Sequence, residues 1–188
     1  GQEKDGDYFD VLNNAAKDIP AGSDGVLFLP YLTGGTNDVK EATGCFLNMT
    51  LDTDQATLWH AVLEAIGYDY MEITDLYRGA GVDMSRITIT EGGSRSEIWN
   101  QMKSDMLGSE VITLKNAGGA VVTDCIVGAY ALGHITDMKA ALTESLEIKK
   151  LYYTNAENHD FYAKQYALQK KLVKQDMKEA FHTLKALH

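Results

Sequence analysis

Arg86-Ile-Thr-Ile-Thr90-Glu91-Gly92-Gly93-Ser94-Arg95-Ser96-Glu97-Ile98-Trp99 is the segment around which the rest of the chain is organised. From Arg86 to Thr90, isoleucine alternates with arginine and threonine, which is the period of a half-buried strand. Gly92-Gly93 ends that strand with no side chain on either residue. Ser94 to Leu107 then reads as a helix, because Ile98, Trp99, Met102 and Met106 recur at three- and four-residue steps. Ser94 and Glu97 have the spacing of a capping box. Two readings of the double glycine are open. Bare backbone at the positive end of a helix dipole can receive a ligand's phosphate or ribose. It can equally be only a tight turn between a strand and a helix.

Upstream, Tyr8 to Ile19 has helical spacing and stops at the turn cluster Pro20-Ala-Gly-Ser-Asp-Gly25. Val26 to Leu32 and Gly44 to Met49 read as short strands, separated by the polar glycine loop Thr33-Gly34-Gly35-Thr36-Asn37-Asp38. Asp52 or Thr53 is the expected cap of a long helix reaching Arg78, with Leu58, Trp59, Val62, Leu63, Ile66, Tyr70, Ile73 and Tyr77 on one period. Downstream, Glu110 to Leu114 is a strand. Ala117-Gly118-Gly119 leads into a helix over Ala120 to Leu132, and Thr136 to Ile148 reads as another. Glu157 to Leu187 carries an aromatic and aliphatic stripe, giving one long helix, or one broken once. Strand–helix–strand–helix units imply a layered α/β fold with parallel strands and right-handed crossovers.

With 188 residues the chain suffices for one substantial domain. The net charge of −10 is uneven: residues 149–188 hold eight lysines against four acidic residues, and the rest is strongly acidic. An acidic body argues against nucleic acid as a partner. No run approaches the roughly 20 apolar residues of a membrane span, so no membrane partner is expected. Cys45 and Cys125 lie in apolar surroundings and are expected to be buried thiols in a reducing compartment. The five histidines form no metal-ligand spacing. There is no G-x-G-x-x-G, no phosphate-loop G-x-x-x-x-G-K-[S/T] and no G-x-S-x-G elbow. Asp124, inside an apolar helix pattern, is either a buried functional carboxylate or a residue at the helix's solvent edge.

The ordered segments resemble the C-terminal half of FGGY-type carbohydrate kinases, most nearly the xylulose kinases. Val26-Leu-Phe-Leu-Pro-Tyr-Leu-Thr-Gly34 is similar to the family's leucine–proline–glycine block. Gly44-Cys-Phe-Leu-Asn-Met-Thr-Leu51 followed by His60-Ala-Val-Leu-Glu64 is similar to its strand and long helix. Gly92 to Trp99 resembles its G-G-A/G-x-S-x-x-W nucleotide motif. Gly118-Gly119 through Leu132 resembles its closing small-residue helix, and Asn158 to Tyr166 its N-x-x-x-Y tail.

The resemblance implies a ribonuclease-H-like fold of the actin/hexokinase ATPase type: a C-terminal lobe with a mixed sheet flanked by helices and a long C-terminal helix. It implies a kinase that moves the γ-phosphoryl of Mg2+-bound ATP to a small-molecule sugar, in the cytoplasm. On this reading residues 1–188 are the nucleotide-side domain of a longer protein. The N-terminal sugar-binding lobe and the catalytic base lie outside it, and surface that lobe would cover makes a homodimer the expected alternative contact. Carried over by position, Gly92 and Gly93 approach the nucleotide, with Ser94 and Glu97 near its sugar or base. The chain departs from the family at Gly34–Asp38, at His60 and Ala65 in place of arginine and glycine, and at Val122-Thr-Asp-Cys125.

Overall fold

The computed structural model describes residues 8–35, 40–115 and 119–187. The expected loop at Thr36-Asn37-Asp38 and the residues Ala117-Gly118 lie outside the described residues. Twelve elements follow in chain order among those described: α1 (Tyr8–Ala16), β1 (Leu27–Leu29), β2 (Cys45–Leu47), α2 (Gln55–Gly79), β3 (Arg86–Ile89), α3 (Glu97–Leu107), β4 (Glu110–Leu114), α4 (Gly119–Ala131), α5 (Met138–Ser145), β5 (Ile148–Tyr152), α6 (Ala156–Lys171) and α7 (Lys178–Ala186).

The strands form two small sheets. β1 and β2 pair antiparallel, with Phe28 opposite Phe46. β3, β4 and β5 form a mixed sheet in that order. β3 and β4 are parallel, Arg86 opposite Glu110, with α3 as the crossover. β4 and β5 are antiparallel, Val111 opposite Tyr152, so the expectation of parallel strands holds only for the first pair. β5 also corrects the reading of Thr136 to Ile148 as one helix. Asp137 caps α5 by accepting from Ala140 N–H at 2.9 Å, the helix ends at Ser145, and the chain then extends along β4. Ile148-Lys-Lys-Leu-Tyr152 is an edge strand exposed over its first three residues, so it lacks the alternation that marks a half-buried strand.

α2 is the spine. Asp54 caps it by accepting from Thr57 N–H at 2.8 Å, one or two residues after the expected cap. It packs against α1, β1 and α3, and the core gathers Leu63, Tyr68 and Met71 of α2, Met102 and Met106 of α3, and Tyr162 and Tyr166 of α6. Tyr68 lies nearly parallel to Tyr166, ring centroids 6.1 Å apart, and edge-on to Tyr162 at 6.4 Å. Gly67 stands in the middle of α2, where glycine costs about 1 kcal/mol relative to alanine. The reason is Met106: a β-carbon at position 67 would lie 2.2 Å from its Sδ. Because Met106 is itself buried, Gly67→Val is expected to cost about 1–3 kcal/mol through overpacking. A urea midpoint unchanged from that of the unsubstituted chain would contradict this.

The C-terminal helix is indeed broken once. Asn155 caps α6 by accepting from the N–H groups of Glu157 and Asn158 at 2.9 and 3.2 Å, and a π-helical turn at Leu172–Asp176 separates it from α7. Among the described residues the main packing partner of α4 is α5, and its Val121, Val127 and Tyr130 are exposed. The expectation of two buried thiols is therefore wrong. Cys125 lies on an exposed position of α4, and Cys45 in β2 is half-buried. Asp124 is exposed on the same helix, as the solvent-edge reading has it. No described helix is long and apolar enough to cross a membrane.

Candidate functional site

The turn after β3 is built from within. Glu91 takes φ 61°, an uncommon backbone for a non-glycine residue, and its carbonyl accepts from both the N–H (3.1 Å) and the Oγ–H (2.7 Å) of Ser94. Gly92–Ser94 close a single 3-10 turn. Only then does α3 begin, capped by Ser96, whose Oγ accepts from Trp99 N–H at 3.3 Å. The expected Ser94–Glu97 capping box is therefore corrected: the glycine turn consumes Ser94, and the helix starts two residues later.

Gly92 and Gly93 line a cleft of about 760 Å³ between the start of α3, α1 and α2. Its far wall is Phe9, Asp10 and Asn13 of α1 with Trp59, Leu63 and Ile66 of α2, and its near wall is Arg95, Ser96 and Trp99. The chain has two tryptophans, and both face this cleft. Trp59 is fixed by donating from Nε1 to Asn13 Oδ1 at 3.0 Å and lies against Phe9, ring centroids 5.9 Å apart. Trp99 stacks on Tyr70 at 6.4 Å. Aromatic walls beside bare backbone and a helix N-terminus fit a flat heteroaromatic ring carrying an anionic group.

Of the four expected site residues, the structure brings Gly92 and Gly93 to the cleft. Ser94 is buried with its hydroxyl turned back to Glu91. Glu97 is exposed and paired with Lys150 of β5 at 2.9 Å, at the rim of a second cleft of about 570 Å³. The sequence reading did not single out Phe9, Asn13, Trp59 or Arg95. Trp59 was legible only as one member of the α2 stripe, and its pairing with Trp99 depends on the α2–α3 packing.

A second polar cluster lies behind the first sheet. Glu64 of α2 is buried and gathers the turn at Gly22-Ser23 and the middle of α6. Its Oε1 accepts from Gly22 N–H at 2.7 Å and from Tyr162 O–H at 3.0 Å, and its Oε2 from Ser23 O–H at 2.8 Å. His60, one turn earlier, places Nδ1 2.9 Å from Ser23 Oγ and 3.4 Å from Glu64. Burial lowers the His60 pKa to about 4 and raises that of Glu64 to about 7, the three hydrogen bonds opposing the rise. At pH 7 the imidazole is neutral, so their proximity is not an ion pair. The family-like N-x-x-x-Y tail also finds its physical role here. Asn158 donates to Asp105 at 2.8 Å, and Tyr162 reaches Glu64.

Among the described residues no group of three or more His, Cys, Asp or Glu side chains is placed to hold a metal ion.

The architecture is that of sugar kinases of the actin/hexokinase ATPase class. It superposes on xylulose kinase from Rhodospirillum rubrum with TM-score 0.73 at 25% identity, over 93% of this chain and 34% of that one. It superposes on Plasmodium falciparum glycerol kinase with ADP with TM-score 0.72 at 14% identity, a likeness of fold over 87% of this chain and 33% of that one. Residues 2–132 match the model of the FGGY family of carbohydrate kinases, C-terminal domain, and the chain belongs to that family. It is 29% identical to xylulose kinase of Staphylococcus epidermidis over 169 residues, covering 89% of this chain and 34% of the relative. It is 34% identical to gluconokinase of Bacillus subtilis over 140 residues, covering 71% and 27%. The chain thus spans about a third of the length of these relatives.

Proposed function

We propose that the chain is the nucleotide-side domain of an ATP-dependent sugar kinase, with a xylulose-like pentulose as the favoured acceptor. The observation that carries this is the cleft in which Gly92-Gly93 faces the aromatic wall of Phe9, Trp59 and Trp99. In this reading the turn brings backbone amides to the nucleotide, and the tryptophans exclude water from the purine. Transfer of the γ-phosphoryl is mainly positioning and charge neutralisation. The base that takes the sugar's hydroxyl proton is supplied by a part of the kinase that this chain does not span. The relatives include both xylulose kinases and gluconokinases, and the preference for a pentulose follows the longer match.

This chain alone is expected to release no ADP in the presence of any sugar and to bind ATP more weakly than the low-micromolar range, because half of the cleft is absent. The deciding experiment is a coupled ADP-release assay on the longest natural polypeptide that carries this sequence, against pentuloses, hexonates and polyols. Turnover with a pentulose supports the reading. Nucleotide binding without turnover on any acceptor favours a divergent module that binds and does not transfer. The departure from the family's pattern at Gly34–Asp38 is the feature on that side.

A further inference from the structure

The most unusual charge in the molecule lies directly behind the glycine turn. Lys103 of α3 is 2% exposed. Among the described residues no carboxylate stands within ion-pairing distance of its ammonium. A buried lysine without a counter-ion is costly, and it persists only where dipoles hold it. Here three do. Nζ donates to the carbonyl of Gly93 at 3.0 Å and to Asn100 Oδ1 at 3.4 Å, and it sits 3.7 Å from the centre of the Trp99 ring. Asn100, fully buried, donates in turn from Nδ2 to the carbonyl of Ser94 at 2.7 Å. Two side chains of α3 therefore draw two consecutive carbonyls of the turn inward.

The first N–H groups of such a turn are those that no carbonyl within it can satisfy. Lys103 does not line the cleft. It reaches the turn from the opposite side, at the end of an apolar groove of about 310 Å³ between α2 and β3. The titratable groups facing it there are the phenols of Tyr70 and Tyr77 from α2; β3 presents only Ile87, Thr88 and Ile89, followed by Thr90.

We propose that Lys103 is a positioning residue of the nucleotide turn. Its ammonium locks the Gly93 peptide and leaves one uncompensated positive charge behind it, so that the cleft favours a nucleoside polyphosphate over the bare nucleoside. This rests on the nucleotide reading of the cleft and goes beyond it by assigning the source of phosphate preference. Burial brings the Lys103 pKa down to about 8, so the charge is present at pH 7 and is lost through pH 8 to 9.

The test is equilibrium titration of ATP and adenosine into the chain and into Lys103→Met, from pH 7 to 9.5. Methionine keeps the length and apolar stem, and circular dichroism confirms that the variant is folded. The expected result is a three- to ten-fold loss of ATP affinity in Lys103→Met at pH 7, with adenosine changed less than two-fold. In the unsubstituted chain ATP affinity falls as pH rises through 8, while in the variant it is flat. Equal ATP affinity and equal pH profiles in the two proteins would overturn the assignment of Lys103 alone. Absence of any nucleotide binding by the unsubstituted chain would overturn both it and the nucleotide reading.

Discussion

Glu64→Ala is expected to destabilise the chain by about 3–5 kcal/mol, read as a lower urea midpoint at pH 7. The carboxylate accepts from three donors in two other segments: Gly22 N–H, Ser23 O–H and Tyr162 O–H. Truncation leaves the Gly22 N–H and the Tyr162 O–H buried without that acceptor, while Ser23 Oγ keeps His60 Nδ1 at 2.9 Å, and each donor so orphaned costs about 1–3 kcal/mol. Their separation in sequence, 42, 41 and 98 residues, means that the loss unfastens the turn before β1 and α6 from α2 together. A change below about 1 kcal/mol would show that water or local rearrangement replaces the carboxylate.

The same cluster makes a pH prediction with a definite sign. The folded pKa of Glu64 is raised from 4.5 to about 7, so the stability tied to its protonation is complete below 4.5 and is lost as pH rises through 7. The folded pKa of His60 is lowered from 6.5 to about 4, so its contribution is complete above 6.5 and is lost as pH falls through 4. Between pH 4.5 and 6.5 the two slopes oppose each other and nearly cancel. Glu64→Gln copies the protonated acid: its Nε2 can donate to Ser23, whose hydroxyl then donates to His60 Nδ1. The variant is expected to retain the fold and to expose the His60 slope, with stability rising by about 1.4 kcal/mol per pH unit across that window. Chemical unfolding at half-unit steps of pH measures it, and parallel curves for the two proteins would contradict the assignment.

Much of the frame was legible because local pattern and packing agree. β3, β4, α2 and α3 follow their periods, and Gly108, with φ 58°, stops α3 as expected of a glycine after a helix. What was not legible depends on contacts distant in sequence. β5 carries two lysines because it is an edge, and edges suppress the alternation that identifies strands. Ser94 and Ser96 are equally good caps on paper. Ser96 takes the role because Gly92–Ser94 already form a turn closed onto Glu91. The cleft was half legible. The double glycine announces itself, but the aromatic wall facing it comes from residues 9 and 59, whose apolar character reads equally well as ordinary helix packing. His60 and Glu64 form an i, i+4 pair on any helical wheel. Only Tyr162 and the Gly22-Ser23 turn show why that pair is buried.

Gly92→Val is expected to weaken ATP binding at least ten-fold while leaving the urea midpoint within about 0.5 kcal/mol of the unsubstituted chain. The two glycines of the turn are not equivalent in this respect. A β-carbon on Gly92 meets no atom within 4 Å, and its backbone φ is not positive, so nothing in the folded chain resists a side chain there. A β-carbon on Gly93 lies 3.3 Å from Trp99 Cζ3 and 3.7 Å from Lys103 Nζ, so Gly93→Val disturbs the wall of the cleft as well as its mouth. Gly93→Val is therefore expected to lose both stability and affinity, whereas Gly92→Val separates the two. If the turn is merely a connector, valine at position 92 projects into solvent and ATP affinity is unchanged. If a nucleotide rests on bare backbone, the same valine occupies the space the ligand needs, and affinity falls although the protein does not move. Titration of ATP into the two variants, with unfolding curves for each, distinguishes a site from a turn at the position where the sequence alone left both readings open.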